Sequence, residues 1–201
     1  MTISTEIDVH QYRKPEFKID ELFVRRWSPR AMSGQSVPDK DLMRLFEAAR
    51  WAPSASNEQP WRFIYAKKGT KYWDEFFDLV AEGNKRWCRN AAVLMVIISK
   101  IRFTKYDAEN RTHSFSAGSA FENLQLQATN LGLIVHPFSG FDENKAAKVL
   151  DVPKEYYVNI MVAIGMPGKI DDLEEKDRIR EFPSDRMKLN ALIFEGKFNE
   201  K

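Results

Sequence analysis

The sequence predicts a fold in which strands alternate with helices in a single mixed layer. Amphipathic helical segments alternate with β-prone runs along most of the chain. One run, Ala91–Ser99, is continuously apolar and β-branched towards its end, the pattern of a strand covered on both faces. With 201 residues, 43% of them apolar and 30% charged, the chain can bury a substantial core as one domain. Residues 1–17 form an N-terminal arm and residues 18–201 a single domain.

The arm is polar, lacks an apolar stretch of signal-peptide type, and reads as poorly ordered or peripherally docked. Ile19–Phe23 suits a short helix ending near Arg25. Ser36 is placed to cap the next helix, Pro38 fits its first turn, and Asp39 and Asp41 complement its dipole. Leu42, Leu45, Phe46, Ala49 and Trp51 then follow helical spacing, and Pro53 stops the helix. Trp61–Ala66 is β-prone. Thr70–Asn84 resumes a helical pattern with Gly83-Asn84 as its end. Lys100–Ser116 is a long aromatic-bearing loop, whose Phe103, Tyr106 and Phe115 suit a lid. A helix runs from Ala117 with Gly132 as its C-cap. A strand at Leu133–Val135, a helix at Glu143–Leu150 and a strand at Val158–Ile164 follow. The charged stretch Asp171–Glu181 reads as solvated. Ala191–Phe194 is β-capable with no partner in its own chain, and donation to a second copy would make a dimer.

Composition excludes several classes. A formal charge of +2 gives no basic field for nucleic acid or acidic membrane. Cys88 is the only cysteine, so it reads as a small core residue, and His10, His113 and His136 lie too far apart in sequence to suggest a metal site. His136 shows no partner and reads as structural. No G-x-G-x-x-G supports a dinucleotide fold. The longest apolar run is too short to span a bilayer, and the expected location is cytoplasmic.

Two stretches carry chemistry. Ala52–Trp61 joins a helix to a strand through two prolines, two serines, an asparagine and a glutamine. Prolines fix φ and the short polar side chains bond backbone or ligand, as expected of a binding loop on a fixed scaffold. Arg25–Arg30 places three arginines and Ser28 around Pro29. Such a group is either a phosphate site or a solvated basic turn.

In this order, Arg26-Trp27-Ser28-Pro29-Arg30, Ala52–Trp61, Pro137-Phe138-Ser139-Gly140-Phe141 and Arg186 resemble the nitroreductase family of flavin-dependent oxidoreductases. The resemblance covers about Leu22 to Glu195. It implies an α+β three-layer sandwich, a central mixed sheet flanked by helices, forming an intertwined homodimer, with two FMN sites in the subunit interface and NADH or NADPH as donor. Arg26, Ser28 and Arg30, with the backbone of Trp27, would meet the phosphate and ribityl chain, and Arg186 would clamp the phosphate from the C-terminal side. Pro53, Ser54, Ala55 and Asn57 of the partner would meet the flavin ring, with Asn84 near its pyrimidine side. Phe138, Ser139 and Gly140 would lie against the flavin. Trp27, Ser139 and Ser184 depart from residues common in relatives, which bears on substrate preference. The implied activity is hydride transfer through flavin N5 to a nitroaromatic, quinone or similar acceptor, with no catalytic side chain. A flavin-sensing module, or a flavin enzyme with a non-nicotinamide reaction, are the alternatives.

Overall fold

The computed structural model describes residues 7–198. Its centre is a four-stranded sheet built from β1 (Trp61–Lys67), β2 (Val93–Lys100), β3 (Ile134–Phe138) and β4 (Tyr156–Gly165) in the order β1-β2-β4-β3. Every pair is antiparallel, so the expected mixed sheet is corrected. Helices between successive strands fix neither their order nor their direction. Lys67 pairs with Val93, so the chain leaves β1 and enters β2 at the same end of the sheet.

Alternation along β2 separates two cores. Val93, Met95 and Ile97 face α2 (Asp39–Arg50) and α5 (His113–Asn130), packing with Leu42, Leu45, Ala120 and Leu124. Leu94, Val96 and Ile98 face α3 (Trp73–Phe77), α4 (Glu82–Cys88) and α6 (Glu143–Val149), packing with Phe76, Trp87, Cys88 and Ala146. The result is the three-layer sandwich anticipated. The register shift between Ile97 and Ile98 leaves Asn159 without an opposite residue. Val158 and Ile160, two apart, therefore enter opposite cores.

α1 (Glu21–Arg25) is capped by the Asp20 carboxylate, which accepts from Leu22 N at 2.8 Å. α2 begins after Pro38 without a side-chain cap, so the Ser36 cap is not made. α5 closes as expected: Gly132 adopts φ +68°, and Leu133 N donates to Ala128 O at 2.9 Å. The expected helix over 70–84 is broken. Ala81 N donates to Gly140 O and Asp142 N to Leu79 O, so residues 79–81 pair with 140–142 instead of continuing the helix. Gly83 and Asn84, read as a helix end, lie inside α4.

As expected, residues 191–194 find no strand partner in their own chain among the described residues. Leu189–Ala191 make a 3-10 turn, and Leu192 and Ile193 are exposed, since a strand needs a hydrogen-bonded neighbour and this chain offers none. One further expectation is corrected: the charged segment 171–181 is only partly solvated, because α7 (Glu175–Arg178) turns Asp177 inward and Glu181 follows it into the protein. Among the described residues, no helix is long and apolar enough to cross a membrane.

Candidate functional site

Beside the edge strand β3 lies a cavity of about 430 Å³ that collects five arginines: Arg13, Arg26, Arg30, Arg180 and Arg186. Trp27, Ser28 and Ser184 complete its polar wall, and His136 and Pro137 of β3 form its floor. The segment from Arg26 to Arg30 has no regular structure of its own. It is held from behind by Gly168 N donating to Ala31 O at 2.7 Å, Ser33 N to Met166 O at 3.0 Å, and a bridge between Met32 and Pro167. The other wall comes from near the C-terminus, where Arg186 Nη1 donates to the Ser184 carbonyl at 3.1 Å and its hydroxyl at 3.2 Å.

The charges of this cavity do not balance. Glu181, 4% exposed, accepts from the backbone N–H of Arg30 at 2.6 Å and of Ala31 at 2.8 Å, with the Arg30 guanidinium 3.6 Å away. Glu122 of α5 stands 3.8 Å from Arg26. Asp177 lies 3.5 Å from Arg180 but is engaged at 2.8 Å by both arms of Arg86. Arg13 and Arg186 bond only to carbonyl and hydroxyl oxygens among the described residues. Burial lowers the Arg26 pKa first, Glu122 opposes, and Arg186 lowers it further. Burial, Arg186 and Arg26 together bring Arg13 down to about 10, against a smaller opposing effect of Asp185. Guanidiniums that disfavour one another in a concave, half-buried site present the field an anion needs. Two positive charges without a carboxylate match one phosphate dianion.

The second predicted loop is preset by its own bonds. Ser54 Oγ accepts from Gln59 N at 2.9 Å, and Ser54 O from Asn57 N at 3.0 Å. Ser56, Asn57 and Gln59 all take positive φ, at 53°, 54° and 50°. Each such non-glycine residue costs on the order of 1 kcal/mol, and strain of this kind collects at functional sites. The loop also grips the long loop that follows β2: Glu58 Oε1 accepts from Thr104 N at 3.0 Å and Thr104 Oγ1 at 2.6 Å. Pro53 and Asn57 are exposed, Ser54 and Ala55 half-buried.

A third group follows β3. Asn84 Nδ2 donates to Gly140 O at 3.3 Å, and its Oδ1 accepts from Trp87 Nε1 at 3.3 Å. A Cβ on Gly140 would stand 2.4 Å from Asn84 Nδ2, so a larger residue there would push the amide aside and cost this bond. Ser139 is exposed. Phe138 packs edge-on to Trp87 in the core, so its side chain is a support and only its backbone is free to face a ligand.

Within one chain, the structure therefore gathers Arg26, Trp27, Ser28, Arg30 and Arg186 into one cavity and joins Asn84 to Gly140. It does not bring Pro53, Ser54, Ala55 or Asn57 to that cavity. Their loop enters β1, the opposite edge of the sheet from β3, across three strand spacings or about 14 Å. Sequence reasoning missed Arg13, Arg180, Asp177 and Glu181. A lone arginine in a polar arm carries no local signal, and acids in a charged run look solvated until the fold turns two of them inward.

Comparison with known proteins agrees with this architecture. The model described as Nitroreductase family matches residues 24–166. An Archaeoglobus fulgidus protein named "Putative NADH dehydrogenase/NAD(P)H nitroreductase" is 31% identical over 164 residues, 78% of this chain and 88% of its own length. A crystal structure described as an oxidoreductase containing FMN superposes with a TM-score of 0.90 at 41% identity, covering 94% of this chain and 97% of the other. A nitroreductase family protein from Clostridium difficile shares the fold, with a TM-score of 0.69 at 19% identity over 90% of this chain and all of its own.

Proposed function

The chain belongs to the nitroreductase family, and we propose that it is an FMN-dependent NAD(P)H oxidoreductase acting as a homodimer. The observation that carries this is the arginine cavity, whose five guanidiniums outnumber the carboxylates beside them and leave a net positive field suited to the terminal phosphate of FMN. Similarity to a protein described as containing FMN supports the same cofactor.

In this reading Arg26 and Arg186 hold the phosphate, with Ser28 and Arg30 beside it. Each charge-assisted bond contributes about 1.5–3 kcal/mol. Glu181 keeps the Arg30 backbone fixed while drawing off part of its charge. Gly140 and Ser139 offer backbone where a ring would lie close, and the Asn84 amide orients the turn. When bound, FMN would supply the redox chemistry, hydride transfer from NADH or NADPH to a nitroaromatic, quinone or similar acceptor in ping-pong order. No side chain of the chain need act as nucleophile or base. The strained 53–57 loop arrives already shaped, so holding a planar ring costs little ordering entropy. A partner's loop completes the site, because the chain's own lies at the far sheet edge. The loop after β2, tied to Glu58 through Thr104, is the lid that selects the acceptor.

The test is the visible spectrum of the purified protein followed by anaerobic addition of NADH and then NADPH. A flavin spectrum bleached within seconds by one of them is expected. A flavin that neither nicotinamide reduces overturns the donor assignment, and failure to take up added FMN overturns the cofactor.

A further inference from the structure

The N-terminal arm is joined to the anion cavity by one residue. Tyr12 stacks on Phe182 with ring centroids 5.6 Å apart, and Glu16 Oε1 accepts from Leu189 N at 3.0 Å, so the arm lies along the C-terminal segment. Between these contacts Arg13 is buried, at 8% exposure. Its Nη1 donates to the carbonyls of Val24 and Arg26, both at 2.6 Å, and its Nε to the carbonyl of Ser184 at 3.0 Å. One guanidinium thus ties the backbone that carries Arg26 to the backbone that precedes Arg186, the two walls of the cavity.

We infer that Arg13 is a positioning residue of the anion site, setting the separation of Arg26 and Arg186 through its three carbonyl bonds. A planar fork can reach carbonyls on two segments at once, which a single ammonium cannot do with the same geometry. The charge also speaks for a ligand. Burial, Arg186 and Arg26 all disfavour a cation here, and no carboxylate pairs with Arg13 among the described residues. An anion in the cavity reverses that balance by meeting the charges that repel one another. The inference concerns the anion site itself and rests on the flavin reading only in naming FMN phosphate as the anion.

The experiment measures the affinity of the full chain for inorganic phosphate, FMN and riboflavin, with Arg13→Ala and Arg13→Lys beside the parent. Arg13→Ala is expected to weaken phosphate and FMN at least tenfold and to leave riboflavin, which lacks the phosphate, within twofold. Arg13→Lys keeps the charge, loses the fork, and should stay at least fivefold weaker for phosphate. It also carries the test if the alanine variant does not fold. Unchanged phosphate affinity in Arg13→Ala overturns the inference, as does an equal fall for FMN and riboflavin, which marks general damage. Full recovery in Arg13→Lys overturns the positioning role in favour of charge alone. A parent that binds phosphate but no flavin defeats the proposed function and leaves Arg13 to be judged on phosphate. A parent that binds neither defeats both.

Discussion

His136 shows how a buried polar residue supports the cavity from its floor. Its ring packs on Trp87 at 4.5 Å, and Nδ1–H donates to the Pro29 carbonyl at 3.0 Å, anchoring the middle of the arginine segment. Burial brings its pKa down to about 4, with Arg30 adding to the fall and the bonds to Pro29 and Ser28 opposing it. Between pH 6.5 and about 4 the unfolded chain binds a proton that the folded chain refuses, so stability falls as pH drops through that window, by up to about 3 kcal/mol. Glu181 acts with the opposite sign. Burial raises its pKa despite bonds from Ala31 and Arg30, so its contribution is lost as pH rises above the ordinary carboxylate range. Urea midpoints at pH 7 and pH 4.5 should show a net fall on acidification, and His136→Gln should remove most of it. An unchanged slope in that variant would assign the effect elsewhere. In the sequence His136 was a lone histidine, legible as structural but not as the anchor of Pro29, because its partner lies far away along the chain.

Among the elements, the irregular segment from Arg26 to Arg30 depends on a neighbour with no side chain. A Cβ on Gly168 would stand 2.6 Å from the Met32 carbonyl carbon and 2.7 Å from its oxygen, backbone that cannot rotate away. Gly168→Ala should therefore cost about 2–3 kcal/mol in urea unfolding and release FMN, because the strap behind Arg30 must move. Unaltered stability and flavin content would show that the strap is not what holds the arginines. Strands β1, β2 and β4 and helices α2 and α5 were legible, since long apolar or periodic runs survive in the folded chain. The break between α3 and α4 was not. Leu79-Val80-Ala81 contains no helix breaker, and the pairing with 140–142 that ends the helix is a tertiary event. The two binding stretches were legible as types of residue. That the two should meet is an expectation of family resemblance alone, since within one chain they lie at opposite sheet edges and no local pattern tells which edge each will occupy.

At the scale of the whole molecule, the sheet sets the arginine cavity beside β3 and the 53–57 loop at the entry to β1, on opposite edges. Large apolar side chains stand exposed on the arm, on α1 and near the C-terminus, including Phe17, Phe23, Ile193 and Phe198. A surface of that kind is usually covered by a partner. Both observations support sites shared between two chains. Co-expression of an Arg26→Ala chain with a chain carrying glycines at 53–57 tests it. Each variant alone should hold little flavin, while the mixed dimer, which restores one intact site, should hold about one flavin per two chains. No gain on mixing would place each site within a single chain.

The phosphate assignment of the cavity is tested most directly by the ratio of FMN to riboflavin affinity in the parent chain. Two charge-assisted bonds to a phosphate that riboflavin lacks should make FMN bind at least about 100-fold tighter. Equal affinities would show that the arginines gathered beside β3 do not hold the cofactor.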